Sequence, residues 1–371
     1  MRRWRPAAAG GRAAGLQFAH RLLGYAADVD DAAPRPDLAA LGIDLGGTKI
    51  EAVLLADDGS VRWRQRVATP AGSYDATVAA LSELVRGARA IAGGRPTIGI
   101  GTPGTVTADG RMKNCNSQCL NGRFLQRDLE AALGQPVAVA NDANCLALSE
   151  ATDGAGAGHG VVFAAILGTG VGAGIAVHGR VLTGPNGVAG EWGHNPLPWA
   201  DAQADPRWRC FCGQTGCIET LLSGPGLARD HALVNSLLPV PDAKAAQGEA
   251  GGAGPEVTQP VVGAPDAPQI VRLAAGGDAA AQATLERHAC RLARALAGVI
   301  NVLDPDIIVL GGGLSRMPHL VRRVPQLWQT WVVSGGVREP VRTPLAASVH
   351  GDASGVRGAA WLGRARARAA A

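Results

Sequence analysis

Two stretches of this chain follow one plan. "LAALGIDLGGTKIEAVLLADDGSVRWRQRVATP" opens with an apolar strand and turns on "GGTK". It runs a second strand through "IEAVLLA" and hands over at "DDGS" to a third, "VRWRQRVAT". "GVVFAAILGTGVGAGIAVHGRVL" repeats strand, Gly/Thr turn, strand, Gly turn, strand. Short apolar runs broken by glycine pairs are hairpin signals. One such meander is weak information. Two of them, about a domain length apart, predict a duplicated α/β fold with a glycine turn from each half facing one cleft.

The segments around the meanders fill out the two halves. "YDATVAALSELVRGARAIAG" has the helical period, with Val78, Leu81, Leu84 and Val85 on one face. "PTIGIGTPG" reads as a buried strand, and "VAVANDANCLALSEA" as a strand ending at Asn141–Asp142 followed by a helix. In the second half "DAAAQATLERHACRLARALAGVINVLDP" predicts a long helix with Leu285, Leu292, Leu296, Val299 and Leu303 on its apolar face. "DIIVLGGGLS" is a strand entering a glycine loop, and "SGVRGAAWLGRA" is a short closing helix. The predicted domains are 39–157 and 158–363, with the last helix able to pack back on the first and 364–371 left as a tail. Residues 239–268, rich in Pro, Gly and Ala without periodicity, read as a mobile surface insertion. Residues 1–38, broken off by "APRP", read as a disordered extension or a mis-assigned start; "LQFAHRLLGYAA" is too interrupted to be a secretory signal.

Bulk properties exclude several classes. The 371 residues are 47% hydrophobic, enough apolar material for one large or two ordinary domains. No apolar run reaches the roughly 18 residues of a membrane span. A net charge of +4, spread among many acids, leaves no nucleic-acid footprint. Seven cysteines in a chain this long are no disulfide scaffold. Their clustering as "CFCGQTGCIE" favours metal binding in a reducing compartment, hence a cytoplasmic protein. Three thiolates at Cys210, Cys212 and Cys217 form a knuckle, but a zinc ion wants a fourth ligand.

The glycine loops suit phosphate. "DLGGTK" lies between strands and lacks the spacing of a Walker A loop. Its glycines let backbone N–H groups approach phosphate oxygens, and Thr48 adds a hydroxyl. Asp44 would repel phosphate unless a divalent cation stood between them. "LGTGVGAG" and "LGGGLS" repeat the theme, and three such loops in this order weigh against ordinary hairpins. Asn141 and Asp142 end a strand, where α/β folds place chemistry; the bland alternative is a helix cap.

Together "GIDLGGTKIEA", "NDANCLALSEA", "GTGVGAGI", "GEWGHNPLP", "CFCGQTGCIE" and "LGGGLS" resemble the ROK family of sugar kinases, over residues 40–363. "MKNCNSQCLNG", "GEWGHNPLPW" and "HGDASGVRGAAWL" resemble the bacterial manno(fructo)kinase subgroup more than glucokinase. The resemblance implies the duplicated actin-like/hexokinase-like (RNase H-like) ATPase fold, two domains around a cleft. It implies that Gly42, Ile43, Asp44, Leu45, Gly46, Gly47, Thr48 and Lys49 hold ATP phosphates together with Gly168, Thr169, Gly170, Val171, Gly172, Ala173 and Gly174. Gly311, Gly312 and Gly313 would lie near the adenosine. Asn116, Asn141, Asp142, Glu191, His194 and Glu219 would bind the sugar, with Asp142 the base that takes the hydroxyl proton. His194 becomes the fourth ligand of a structural Cys3His zinc site with Cys210, Cys212 and Cys217. Mg2+ would sit on Asp44 through phosphate or water.

The implied reaction is ATP-dependent phosphorylation of a hexose at the 6-hydroxyl, with fructose expected first and mannose next. N-acetylglucosamine kinase or glucokinase is the alternative. A sugar-sensing ROK repressor is the rival of another class, disfavoured because residues 1–38 are short for a helix-turn-helix. A homodimer is expected, with neither nucleic acid nor membrane as partner. Substitution at Asp153, an acid on the loop that follows the helix after Asn141–Asp142, is expected to do little.

Overall fold

The computed structural model describes residues 39–70, 72–235, 263–334, 336–337 and 339–370. The first meander becomes strands β1 (Ala40–Leu45), β2 (Lys49–Leu55) and β3 (Val61–Ala68). β4 (Thr97–Thr102), the short hairpin β5 (Thr105–Val106) and β6 (Met112–Lys113), and β7 (Val137–Asn141) follow. β1 is apolar nearly throughout because it is central, covered on both faces. β3 carries Arg62, Arg64 and Arg66 because it is the exposed edge, where charge discourages further pairing.

The second meander becomes β8 (Val161–Leu167), β9 (Val171–Val177) and β10 (Arg180–Val181), joined by β11 (Ile307–Gly311) and β12 (Leu345–Ala347). The sheets run β3-β2-β1-β4-β7 and β10-β9-β8-β11-β12. In each, the first strand pairs antiparallel with the second and parallel with the fourth. The same order and the same directions occur twice, so the duplication predicted from the glycine turns is a duplication of topology.

Helices cover the sheets. α1 (Tyr74–Ala92) starts at the Ser73 cap, ends on Gly93 at φ 67°, and buries Leu81, Leu84 and Val85. α2 (Leu125–Leu133), which the sequence reading missed, buries Leu125, Leu129 and Leu133, one face at i, i+4, i+8. α3 (Asp142–Asp153) leaves the end of β7 and lies between the sheets, touching β8 and β9 as well as β4 and β7. In the second half come α4 (Glu219–Leu222), α5 (Gly224–Val234), α6 (Ala267–Ala275), α7 (Ala279–Leu303) and α8 (Pro318–Leu327). α7 buries Leu285, Leu292 and Leu296 against Phe163, Leu310 and Trp328, while Val299 and Leu303 pack at the margin of that core.

The last helix, α9 (Ser354–Ala370), crosses back and packs on β1, β4 and α3 of the first sheet. It approaches so closely that a Cβ on Gly42 would overlap the Val356 carbonyl, and one on Gly358 would overlap that of Cys145.

Three sequence expectations need correction here. The closing helix is not short: it continues through Ala370, so 364–370 are helix and not a tail, and Arg364 is buried. The insertion ends earlier than 268, because Asp266 and Gln269 form a capping box that starts α6 at Ala267 and Ile270 is fully buried. Residues 1–38 and 239–262 lie outside the described residues. Asp153 is not on the following loop: it ends α3, pairs with Arg357 of α9, and meets His350 Nε2 at 3.1 Å.

Candidate active site

The carboxyl ends of β1, β7, β8 and β11 bring the sequence-predicted residues to one region, where open α/β sheets gather ligands. The "DLGGTK" stretch divides in two. Ile43 and Leu45 are core, and Gly42 serves the approach of α9. Gly46, Gly47, Thr48 and Lys49 form the open turn, closed by Gly46 N–H donating to Lys49 O at 3.0 Å. The second stretch divides likewise. Gly168, Thr169 and Gly170 are at the tip and Gly172 is half-buried, whereas Val171 and Ala173 are core. A Cβ on Gly174 would overlap the Ala143 carbonyl. Gly311 faces Leu146, Gly312 turns at φ 79°, and Gly313 is exposed. The sequence reading took whole motifs as ligand contacts; their buried members hold sheets and helices together.

Between the second and third loops lies a cavity of about 700 Å³. Gly168, Thr169 and Gly313 line it, and so do Gly224, Pro225, Val271, Arg272, Leu314 and Met317. These last six were missed. The signal for part of them was present: "SGPG" after "IETLL" places Ser223 as a cap with proline in the first turn of α5. A mostly apolar slot ending on glycine amides and a helix N-terminus has the character of a nucleotide site, base in the slot and phosphates on the amides.

Asp142 sits at the start of α3. Ala143 N–H bonds to Asn141 Oδ1 at 2.9 Å and to Asp142 Oδ1 at 2.8 Å. Asn141 therefore does cap the helix, and its oxygen is committed to that. Asp142 is open at its surface yet poorly solvated, since protein crowds its other sides. This desolvation pushes its carboxyl up to about 6, with the Ala143 N–H opposing and Glu191's charge adding. Asp44 is also pushed up to about 6, by burial first and then by the charges of Asp142 and Glu51, with Lys49 opposing. Two carboxyls that resist ionisation beside a phosphate-sized turn are an oxygen donor set suited to a hard divalent cation.

The sugar-side candidates converge from both halves. Asn116 is exposed just past β6, and Lys113 Nζ donates to Asn186 O at 2.8 Å, tying that segment to the loop leading to Glu191. His194 Nε2 stands 3.8 Å from Glu191 Oε2. Its other nitrogen, Nδ1, is 3.5 Å from Cys210 Sγ. Glu219 is buried at the head of α4, one oxygen accepting Val171 N–H at 2.9 Å. Burial raises its carboxyl above the ordinary range, while Val171 N–H and His194 pull it back.

His194, Cys210, Cys212 and Cys217 bring one ligand atom each to within 4.8 Å of one another. A tetrahedral zinc, with Zn–S about 2.3 Å and Zn–N about 2.0–2.1 Å, sets its ligand atoms about 3.6–3.8 Å apart. The Cys210–His194 separation of 3.5 Å and the Cys212–Cys217 Sγ separation of 3.7 Å fit those edges. The loop from His194 to Cys210, whose path the sequence left open, is held by Asp205, which bonds Arg291 at 2.8 Å and Arg294 at 2.7 Å on α7.

The paired sheets of repeated topology define an actin-like ATPase fold. A model described as the ROK family matches residues 40–366, and the chain belongs to the ROK family, as a sugar kinase. The N-acetyl-D-glucosamine kinase of Escherichia coli O6:H1 (strain CFT073) is 38% identical over 329 residues, 86% of this chain and 98% of that protein. The crystal structure of a ROK hexokinase from Thermus thermophilus superposes with TM-score 0.71 at 30% identity, covering 89% of this chain and 99% of that one. A ROK glucokinase from Streptomyces griseus, in complex with glucose and AMPPNP, gives TM-score 0.65 at 29% identity, covering 88% and 99%. No described helix is long and apolar enough to cross a membrane.

Proposed function

We propose that this chain phosphorylates a hexose at the 6-hydroxyl, with N-acetyl-D-glucosamine preferred and fructose secondary. The observation that carries the phosphotransfer reading is Asp142, a crowded carboxylate whose charge acts on Asp44 at the entrance to the Gly46–Lys49 turn. The order of sugars differs from the expectation drawn from "GEWGHNPLPW". It is supported by relatives 37–38% identical over nearly their whole length that bear the N-acetyl-D-glucosamine kinase name.

Asp142 accepts the proton of the attacking hydroxyl. Asn116, the Asn141 amide, Glu191, His194 and Glu219 fix the ring through its other hydroxyls, which places O6 in line. The Gly46–Lys49 and Gly168–Gly170 turns, each closed by the N–H of its first glycine, receive phosphate oxygens on the backbone N–H groups of Gly47, Thr48, Thr169 and Gly170. ATP supplies the phosphoryl group, and Mg2+ neutralises its charge when bound. Asp44 would hold that cation.

His194, Cys210, Cys212 and Cys217 would hold a structural zinc, which would fix the loop rather than take part in the chemistry. His194 would hold the metal through the ring edge that lies 3.5 Å from Cys210 Sγ, leaving Nε2, 3.8 Å from Glu191 Oε2, for the sugar. A hexose panel in a coupled ADP-release assay tests the reading. The expected result is a higher kcat/KM for N-acetylglucosamine than for fructose, mannose or glucose. Fructose ahead of N-acetylglucosamine overturns the order, and no sugar-dependent ADP release overturns the kinase.

A further inference from the structure

The Cys/His knuckle leaves through the single turn of α4, and that turn and the first residue of α5 are each bonded once to the β8–β9 glycine turn. Glu219 Oε2 accepts Val171 N–H at 2.9 Å, and Gly224 N–H donates to Gly168 O at 2.8 Å. The two bonds bracket Thr169 and Gly170, the tip that borders the nucleotide cavity. The fit is tight, because a Cβ on Gly170 would stand 2.7 Å from Glu219 Oε2.

Behind, the turn is fastened to the knuckle. Thr220 donates to Cys217 O through both its N–H, at 3.0 Å, and its hydroxyl, at 2.7 Å. Ile218 N–H reaches Asn195 O at 2.9 Å, next to His194. Glu219 Oε1 lies 3.8 Å from Cys210 Sγ. A glycine tip has no side-chain packing of its own and much conformational freedom to lose, so an outside clamp decides whether its amides are pre-aimed.

We propose that Glu219 is a positioning residue for the nucleotide: with the metal knuckle behind it, it holds the Gly168–Gly170 turn ready for phosphate. The zinc site thereby governs ATP binding as well as the sugar pocket. This rests on the phosphotransferase reading above. It adds a task for Glu219 Oε2, the oxygen that Val171 N–H reaches.

The test is calorimetric titration of AMP-PNP with Mg2+, without sugar, alongside amide hydrogen exchange over residues 167–173. Glu219→Ala should weaken AMP-PNP binding about tenfold, the loss expected of a charge-assisted hydrogen bond, and speed exchange at Val171. Glu219→Gln keeps an acceptor oxygen and should restore both. A residue that served the sugar alone would move neither. Stripping zinc from the wild type should speed exchange in the same segment. Should Glu219→Ala fail to fold, Gly170→Ala displaces the same carboxylate from the loop side and should weaken AMP-PNP binding.

Wild-type affinity and wild-type exchange in the variant that folds overturn the proposal. A wild type that binds no AMP-PNP overturns the kinase reading instead, and the exchange comparison still decides the clamp.

Discussion

Asparagine at position 142 removes a carboxylate and little else. Its oxygen can still accept the Ala143 N–H that Asp142 Oδ1 takes at 2.8 Å, so the first turn of α3 survives. A positioned base contributes roughly 10²–10⁴-fold, and kcat should fall by about that factor, with the sugar KM changing far less. The pH profile sharpens the test. With a carboxyl at about 6, roughly nine-tenths of the wild type is ionised at pH 7 and roughly a tenth at pH 5. The wild-type rate should therefore drop about tenfold per pH unit below 6, and Asp142→Asn should lose that limb.

Stability moves the other way. The folded protein binds this proton more tightly than an ordinary carboxylate does. The stabilisation is full at low pH and is lost as pH rises through about 6. Wild-type Tm should rise as pH falls from 8 to 5, and Asp142→Asn should melt higher than wild type above pH 6. Asp44, shifted in the same direction, keeps part of the slope, reduced because Asp142's charge is one of its causes. The assays are coupled ADP release from pH 5 to 9 and thermal melts over the same range. More than about a tenth of wild-type kcat left in Asp142→Asn, or an unchanged acid limb, refutes the assignment.

Cys217→Ser should lose stoichiometric zinc in metal analysis and raise the KM for sugar and for ATP together; a zinc-free wild type with full activity would remove the metal site. Gly358→Ala inserts a methyl group against the Cys145 carbonyl and should cost about 1–3 kcal/mol, read as a lower urea midpoint. Arg291→Met leaves Asp205 and Asp230, each bonded to Arg291 at 2.8 Å, as buried carboxylates with one partner fewer, a loss of about 3–5 kcal/mol. An unchanged denaturation curve for Arg291→Met would show that this network does not brace the knuckle loop.

What the chain declared by itself was local. Strand, glycine turn and strand follow from residues a few positions apart, so β1, β2, β8 and β9 fell close to where their apolar runs placed them. The long helix α7 was legible from its period, and the cysteine knuckle from its spacing. What the tertiary structure decided was which distant partner each residue meets. Gly42 and Gly47 share one motif, but only the packing of α9, more than 300 residues along, makes the first a helix contact and leaves the second on an open turn.

Glu219 carries no mark in its neighbours that one oxygen belongs to Val171, 48 positions earlier. Asp205 likewise finds Arg291 across 86 positions. Propensity and turn chemistry act over one or two turns of chain. The pairing of remote groups is set when two faces are buried together and every polar atom between them must find a partner or bear the cost of desolvation.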